Sequence, residues 1–259
     1  MDGTLALPDH RVNERTLAVL GELQRAGVRP VIVTGRSEGE AIRICREAGL
    51  TAPTVSCNGA LVTDPVSGER LRQVSVEPGM LRATKAFAAA HGVQLLLWTA
   101  DGVYAEQPSE RTRVLEAINR EPILRAPLDQ IDPSLVVKVM LMSDPARMDV
   151  VEPDARREVP FLERSMGYFL EATNPRATKW QSLRWVLRGL GLEPGECAGI
   201  ADGDNDLEWL SRMGLPIAVA NARPAVVEVA DVVIGANSEE SVAELLEQWV
   251  EMLAELDEA

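Results

Sequence analysis

No run of apolar residues in this chain approaches the roughly 18–20 needed to cross a bilayer, so the sequence predicts no membrane span. Cysteine is scarce. Cys45, Cys57 and Cys197 are the only three in 259 residues; they stand far apart and no two form a Cys-x-x-Cys pair. That excludes a disulfide framework and predicts reduced thiols in a cytoplasmic protein. Histidine is scarcer still. His10 and His91 add too few soft ligands for a zinc site. Positive charge is in deficit, with 26 Lys and Arg against 40 Asp and Glu for a net charge of −14. A nucleic-acid partner therefore lacks the basic face it needs. A small anionic substrate needs less, because a metal ion and a few cations can reverse the field locally. No GxGxxG follows a candidate strand, which argues against a dinucleotide cofactor. There is no internal repeat. Asp2 and Gly3 follow Met1 directly, where a secretory leader would place basic residues, so no signal peptide is expected.

What is present is an alternation of short apolar runs with segments of helical period, the pattern of a parallel α/β sheet. Residues 12–26 predict an amphipathic helix with Val12, Leu17, Leu20 and Leu23 near one face and Gly27 at its end. Residues 28–34 predict a buried strand. Ser37 caps a helix to about residue 48, and residues 54–64 read as strand with a turn at Asn58-Gly59. After about residue 74 the pattern changes. A helix at 79–91, a hairpin of 93–99 with 102–106, a helix at 110–119, a strong strand at 135–142, a helix at 144–158 and a short strand at 168–172 suggest an α+β insert. The α/β alternation resumes near Thr178. Helices are expected at 179–190, 204–213, 224–230 and 239–255, and strands at 195–201, 216–220 and 231–234. The acidic residues after Met252 read as the end of the last helix. Residues 1–76 and 175–259 thus predict one α/β core, residues 77–174 an inserted unit, with hinges near 75–79 and 172–177.

Four segments carry chemistry. Asp2-Gly3-Thr4-Leu5 is by itself only a turn signal. Val31-Ile32-Val33-Thr34-Gly35-Arg36 puts a hydroxyl at the carboxyl end of a strand, where open α/β sheets bind ligands and where backbone N–H groups can hold phosphate oxygens. Lys179 opens a helix, and on its own reads as a solvated surface lysine, as most such lysines are. Gly199-Ile200-Ala201-Asp202-Gly203-Asp204-Asn205-Asp206 gathers three carboxylates and an amide within five residues after a strand. Hard carboxylate oxygens suit magnesium, although acids are also favoured at any helix N-terminus.

In order and spacing these segments resemble the four motifs of the haloacid dehalogenase (HAD) phosphatases, and the fourth motif with the size of the insert resembles the Cof-type branch with a large class II cap. The resemblance covers nearly the whole chain. It includes Ser56-Cys57-Asn58-Gly59-Ala60 and Ile217-Ala218-Val219-Ala220-Asn221-Ala222, followed by Ala230-Asp231. It implies an α/β protein with a HAD-like Rossmannoid parallel-sheet core and an inserted α+β cap domain. It further implies a Mg2+-dependent phosphomonoester hydrolase acting on a small phosphorylated metabolite, typically a sugar phosphate, through an aspartyl-phosphate. Asp2 would be the general acid/base, with its backbone carbonyl on the metal. Thr34 would hydrogen-bond the phosphoryl group, and Lys179 would neutralise charge on nucleophile and phosphate. Asp202 would bind magnesium directly and Asp206 would support it. Gly35, Arg36, Asn58 and Asn205 would lie near the phosphate or substrate. No nucleic-acid or membrane partner is implied, and the expected state is a monomer or weak homodimer.

The chain departs from the pattern at its first motif, D-x-D-G-T-L. The nucleophile belongs two residues before Asp2, and Met1 stands at the middle position. The expectation is a start upstream of Met1, with an apolar strand and the nucleophile ahead of it. The alternatives are an inactive phosphate-binding or regulatory protein, or a phosphomutase on the same scaffold. Ala201 replaces a usual Gly, and Trp180 follows Lys179 where Gly is common; packing is the expected role of Trp180. Trp98, Trp185, Trp209 and Trp249 read as core or interface residues. His10 and His91 have no role in this chemistry.

Overall fold

Local signals set the core helices in the computed structural model, which describes residues 1–257. Asn13 accepts from the Thr16 amide and starts α1 (Glu14–Arg25), which buries Thr16, Val19, Leu20 and Leu23. Ser37 caps α2 (Glu38–Glu47) in the same way through the Glu40 amide. An antiparallel meander follows: β1 (Thr54–Ser56), β2 (Leu61–Thr63) and β3 (Arg70–Gln73). The β1–β2 turn passes through Cys57, Asn58 and Gly59, all at positive φ.

The inserted unit is built from α3 (Pro78–His91), β4 (Gln94–Thr99), β5 (Gly102–Ala105), α4 (Arg113–Asn119), β6 (Leu124–Arg125), β7 (Val136–Met142), α5 (Pro145–Glu158), β8 (Glu163–Met166) and β9 (Phe169–Thr173). Its strands form one sheet in the order β6-β5-β4-β7-β9-β8, antiparallel except for β5 with β6. β7 is buried along its whole length because both faces are covered. On one face Leu97, Val139, Leu141 and Leu170 pack under α3 and α5 through Phe87, Met148 and Val151. On the other, Leu96, Trp98, Met140 and Phe169 meet Leu115 and Ile118 of α4 and Cys57, Ala60 and Leu61 of the core.

The chain returns through α6 (Lys179–Leu190), β10 (Ala198–Ala201), α7 (Leu207–Leu210), β11 (Leu215–Val219), α8 (Pro224–Val229), β12 (Val232–Ile234) and α9 (Ser241–Asp257). β10, β11 and β12 are parallel. One layer packs α1, α2 and α9 on the sheet through Leu20, Ile44 and Leu246; the opposite layer packs α6, α7 and α8 through Leu183, Leu210 and Val226. The acidic end lies in α9 as far as Asp257, and residues 258–259 lie outside the described residues.

Three expectations change. Residues 28–34 do not form a strand: only Val33 bridges Val55, in parallel. Thr34 N–H donates to Val55 O at 2.9 Å and Val55 N–H to Ile32 O at 2.8 Å, so one edge of the segment is paired. The other edge has no backbone partner among the described residues, and β10 likewise pairs only with β11. An apolar segment with one paired edge and exposed Val28 lacks the second ladder that completes a central strand. The helix expected at 204–213 shrinks to a 3-10 turn, Asp204–Asp206, and the short α7, because the chain turns back so that Gly214 N–H can reach Pro194 O. β3, β6 and β8 escaped the sequence reading since they are short, largely exposed edges without apolar alternation.

Side chains tie the insert to the core. Asn119 Oδ1 accepts from the Ser37 amide at 2.9 Å. Lys138 Nζ donates to Gly35 O at 3.1 Å and pairs with Glu171 at 3.0 Å, while Asn58 Nδ2 donates to the other Glu171 oxygen at 3.1 Å. Asn174 Nδ2 donates to Ser75 O at 2.8 Å and binds the two chain crossings together. Beside the α2 N-terminus, burial and the nearby Glu40 and Glu38 push the Glu121 carboxyl above its usual range, against a Ser37 hydrogen bond.

A raised carboxyl pKa means that the folded chain holds a proton the unfolded chain releases. Its contribution is present below the unfolded value and is lost as pH rises through the folded one. Glu121→Gln, neutral throughout, should therefore melt at higher temperature than the wild type near neutral pH, with the difference vanishing as pH falls toward about 4. Burial also pushes the Cys45 and Cys57 thiols up to about 12. Since the thiolate is the reactive form, alkylation of the native protein at about pH 8 should label Cys197 first and reach Cys45 and Cys57 only in denaturant. Peptide mapping reads the order directly.

Candidate active site

The sheet ends, the 34–36 turn and the cleft-facing side of the cap sheet enclose a cleft of about 850 Å³. Asp2, Thr34, Gly35, Arg36, Asn58, Lys179, Asp202, Asn205 and Asp206 all line it. Residues 204 positions apart in the chain are thus neighbours, and two glycines make the approach possible. Gly3 sits at φ +79°, with its Cα so near Asp202 that a Cβ would lie 2.3 Å from Oδ2. Gly59, at φ +97°, lies so close to α6 that a Cβ would lie 2.2 Å from Thr178 O.

That second contact places Lys179. The Thr178 hydroxyl caps α6 through the Gln181 amide at 3.1 Å, and Ser182 Oγ donates to Gly59 O at 2.6 Å. Lys179 is therefore the first residue of a helix pinned to the 57–60 turn. Its ammonium is buried and donates to Asp206 Oδ1 at 2.7 Å; Trp209 Nε1 donates to the same oxygen at 2.7 Å. Removing one partner of such a buried pair strands the other's charge, at a cost of about 3–5 kcal/mol.

Asp202 follows β10. Thr4 Oγ1 donates to its Oδ1, and its backbone carbonyl accepts from Arg223 N–H at 2.8 Å. Asn221 Nδ2 braces the opposite side through Gly3 O at 2.8 Å. Thr34 is buried; its Oγ1 accepts from Arg36 N–H at 3.1 Å, which leaves the hydroxyl proton to donate. Asn205 is exposed at the rim.

The Asp2 carboxylate is turned away from Asp202. Arg36 grips it through Nε at 2.9 Å and Nη2 at 2.6 Å, and His10 Nδ1 lies 2.9 Å from Oδ1. Burial alone would raise the Asp2 carboxyl, but Arg36 and the His10 hydrogen bond outweigh it and hold the group below the usual aspartate range. The remaining Arg36 donors go to Glu40 at 2.9 Å and His10 O at 2.8 Å. Although Arg36 borders the cleft, its guanidinium faces the protein and orients Asp2. Burial pushes the pKa of the Met1 α-amine down.

The donor set fits a hard divalent cation. Asp202 and Asp206 supply carboxylates in one cleft with one oxygen each free of hydrogen bonds. No cluster of three or more His, Cys, Asp or Glu side chains arranged for a metal occurs among the described residues. Trp180 packs in the α6–α8 core, as expected of it.

Several neighbours escaped the sequence reading. His10 has no motif signal and reaches Asp2 through a turn at φ +67°. Trp209 stands three residues after Asp206 and fixes it as well as filling core; Trp98 is buried yet borders the cleft; Trp185 is exposed rather than core. Lys138 carried a legible signal, being the one charge in an otherwise apolar strand.

Comparison with known proteins bears on the family and the fold. A phosphoglycolate phosphatase of Methanopyrus kandleri is 28% identical over 97% of this chain and 95% of its own length. A solved haloacid dehalogenase-like hydrolase from Bacteroides thetaiotaomicron superposes with a TM-score of 0.86 at 24% identity, covering 95% of this chain and 96% of that one. A HAD subclass IIB sugar phosphatase superposes with a TM-score of 0.81 at 20% identity, covering 96% of each chain. These two share the fold. The family model for haloacid dehalogenase-like hydrolases matches residues 1–246, and the chain belongs to that family.

Proposed function

We propose that the protein is a magnesium-dependent phosphomonoesterase acting on a small phosphorylated metabolite, a sugar phosphate in the first instance, with residues 77–174 acting as the cap. The observation that carries this reading is the convergence of Lys179, Thr34, Asp202 and Asp206 on one cleft of a strongly acidic protein. Asp202, Asp206 and the Asp2 carbonyl would hold the ion, which when bound would offset charge on the phosphoryl oxygens. Lys179 and the Thr34 hydroxyl supply the fixed donors that phosphoryl transfer needs. Asp2 would serve as acid/base once its carboxylate turns from Arg36 and His10 toward the cleft: the proton it takes from water in the hydrolytic step is the one it gives to the leaving oxygen of the next turnover.

The same reading assigns the nucleophile to an aspartate two residues ahead of Asp2, on a strand that would pair with the free edges of the 31–34 segment and β10. Its support is those two unpaired edges, of the 31–34 segment and of β10.

The test is phosphate release from an aryl phosphate by the protein isolated from its own cells, with its intact mass measured on the same sample. The expected result is a mass above that of the 259-residue chain, magnesium-dependent release stopped by EDTA, and a loss of at least about 100-fold in kcat for Lys179→Met. Release that survives both EDTA and that substitution contradicts the proposal, and an isomerised ester without free phosphate would replace hydrolase with mutase.

A further inference from the structure

Asp206 does not take the role its position invites. An aspartate at the start of a helix ordinarily turns its carboxylate onto the helix's own amides. Asp206 stands directly before α7 and caps none of them. Its Oδ1 instead accepts from two side chains, Lys179 Nζ at 2.7 Å and Trp209 Nε1 at 2.7 Å. The two donors differ in kind. Lys179 borders the cleft and has three N–H bonds, of which one goes to Asp206 among the described residues. An anion entering the cleft draws that ammonium toward itself. The indole has a single N–H, accepts nothing and carries no charge that a ligand could redirect. Trp209 is 7% exposed and is not among the residues that line the cleft.

The ring itself is seated on the sheet. Gly199 of β10 lies so close that a Cβ there would fall 2.6 Å from Trp209 Cζ3. Leu210, Met213 and Ala218 belong to the same packed cluster. β10 therefore places both carboxylates of the cleft. Asp202 follows the strand directly, and Asp206 is held by an indole that rests on it. With Oδ1 held by Trp209, the second Asp206 oxygen keeps its direction even when the lysine turns to another anion.

We infer that Trp209 is a positioning residue for a divalent cation: its N–H keeps Asp206 aimed, so that metal affinity depends on a side chain outside the cleft. The inference rests on the metal-dependent reading of the same cleft and assigns part of the ion's affinity to one hydrogen bond. Groups that orient metal ligands from outside the coordination sphere typically change affinity 10–100-fold when removed.

Manganese binding to the full chain tests it, read from the paramagnetic resonance signal of the free ion, with magnesium as competitor. Manganese takes the same oxygen ligands as magnesium. Two changes at position 209 remove the N–H. Trp209→Phe keeps an aromatic ring of smaller size, and 3-benzothienylalanine at that position alone keeps the shape of the indole with sulfur in place of N–H. In both, affinity for manganese and for competing magnesium should fall by about tenfold or more. The melting temperature in EDTA is measured alongside, since a role in packing alone moves that temperature and leaves metal affinity unchanged. Affinity lost in Trp209→Phe but kept with the isosteric analogue would assign the effect to packing and overturn the inference, as would affinity unchanged in both, and either result leaves the phosphatase reading in place. Failure of the wild type to take up either ion would overturn both.

Discussion

The buried contact of Lys179 with Asp206 is the constraint on which the rest of the site depends. It joins the start of α6 to the turn after β10, and so sets the distance between the two halves of the returning core. Two donors converge on a single Asp206 oxygen, one from Lys179 and one from Trp209, which fixes that carboxylate and leaves its second oxygen toward the cleft. A lysine this buried is stable as an ammonium only beside such a partner. Everything upstream serves to aim it: the Thr178 cap, the Gly59 approach and the Ser182 bond hold the first turn of α6 against the 57–60 turn.

Around that pair the protein separates its charges by task. Arg36 is the other buried cation on the core side, and it faces inward, gripping Asp2 and Glu40. Its effect on Asp2 is to keep an anion where burial would otherwise favour the neutral acid. On the cap, Lys138 is neutralised by Glu171, and the same carboxylate reaches across to Asn58. These contacts at the cleft add to the apolar packing on Cys57, Ala60 and Leu61 in holding the cap on the core.

How much of this is legible in the sequence follows from the physics of each signal. Helices announced by caps and amphipathic period, such as α1, α2 and α6, are found within a residue or two, because the signal is local. The Asp202 and Asp206 carboxylates and Lys179 stand in motifs whose spacing is kept by tight turns, so the cleft they share could be anticipated. His10 and Trp209 act through geometry that no spacing encodes: one reaches Asp2 from a left-handed turn, the other folds back over Asp206. The 28–34 segment shows the converse. Its composition is that of a central strand, but here one edge alone is paired, and that through the single Val33–Val55 bridge. Edge strands such as β3 and β8, polar and exposed, are ordered by pairing and leave little pattern to read.

The central claim is that Thr34, Lys179, Asp202 and Asp206 form one seat for a tetrahedral oxyanion beside a divalent cation. Anomalous diffraction from crystals soaked in magnesium and tungstate tests it most directly. The account predicts a single strong tungsten peak in the cleft, within hydrogen-bonding reach of Thr34 Oγ1 and Lys179 Nζ, with cation density against Asp202. Tungsten bound only elsewhere on the surface, with Lys179 still facing an empty cleft, would contradict it.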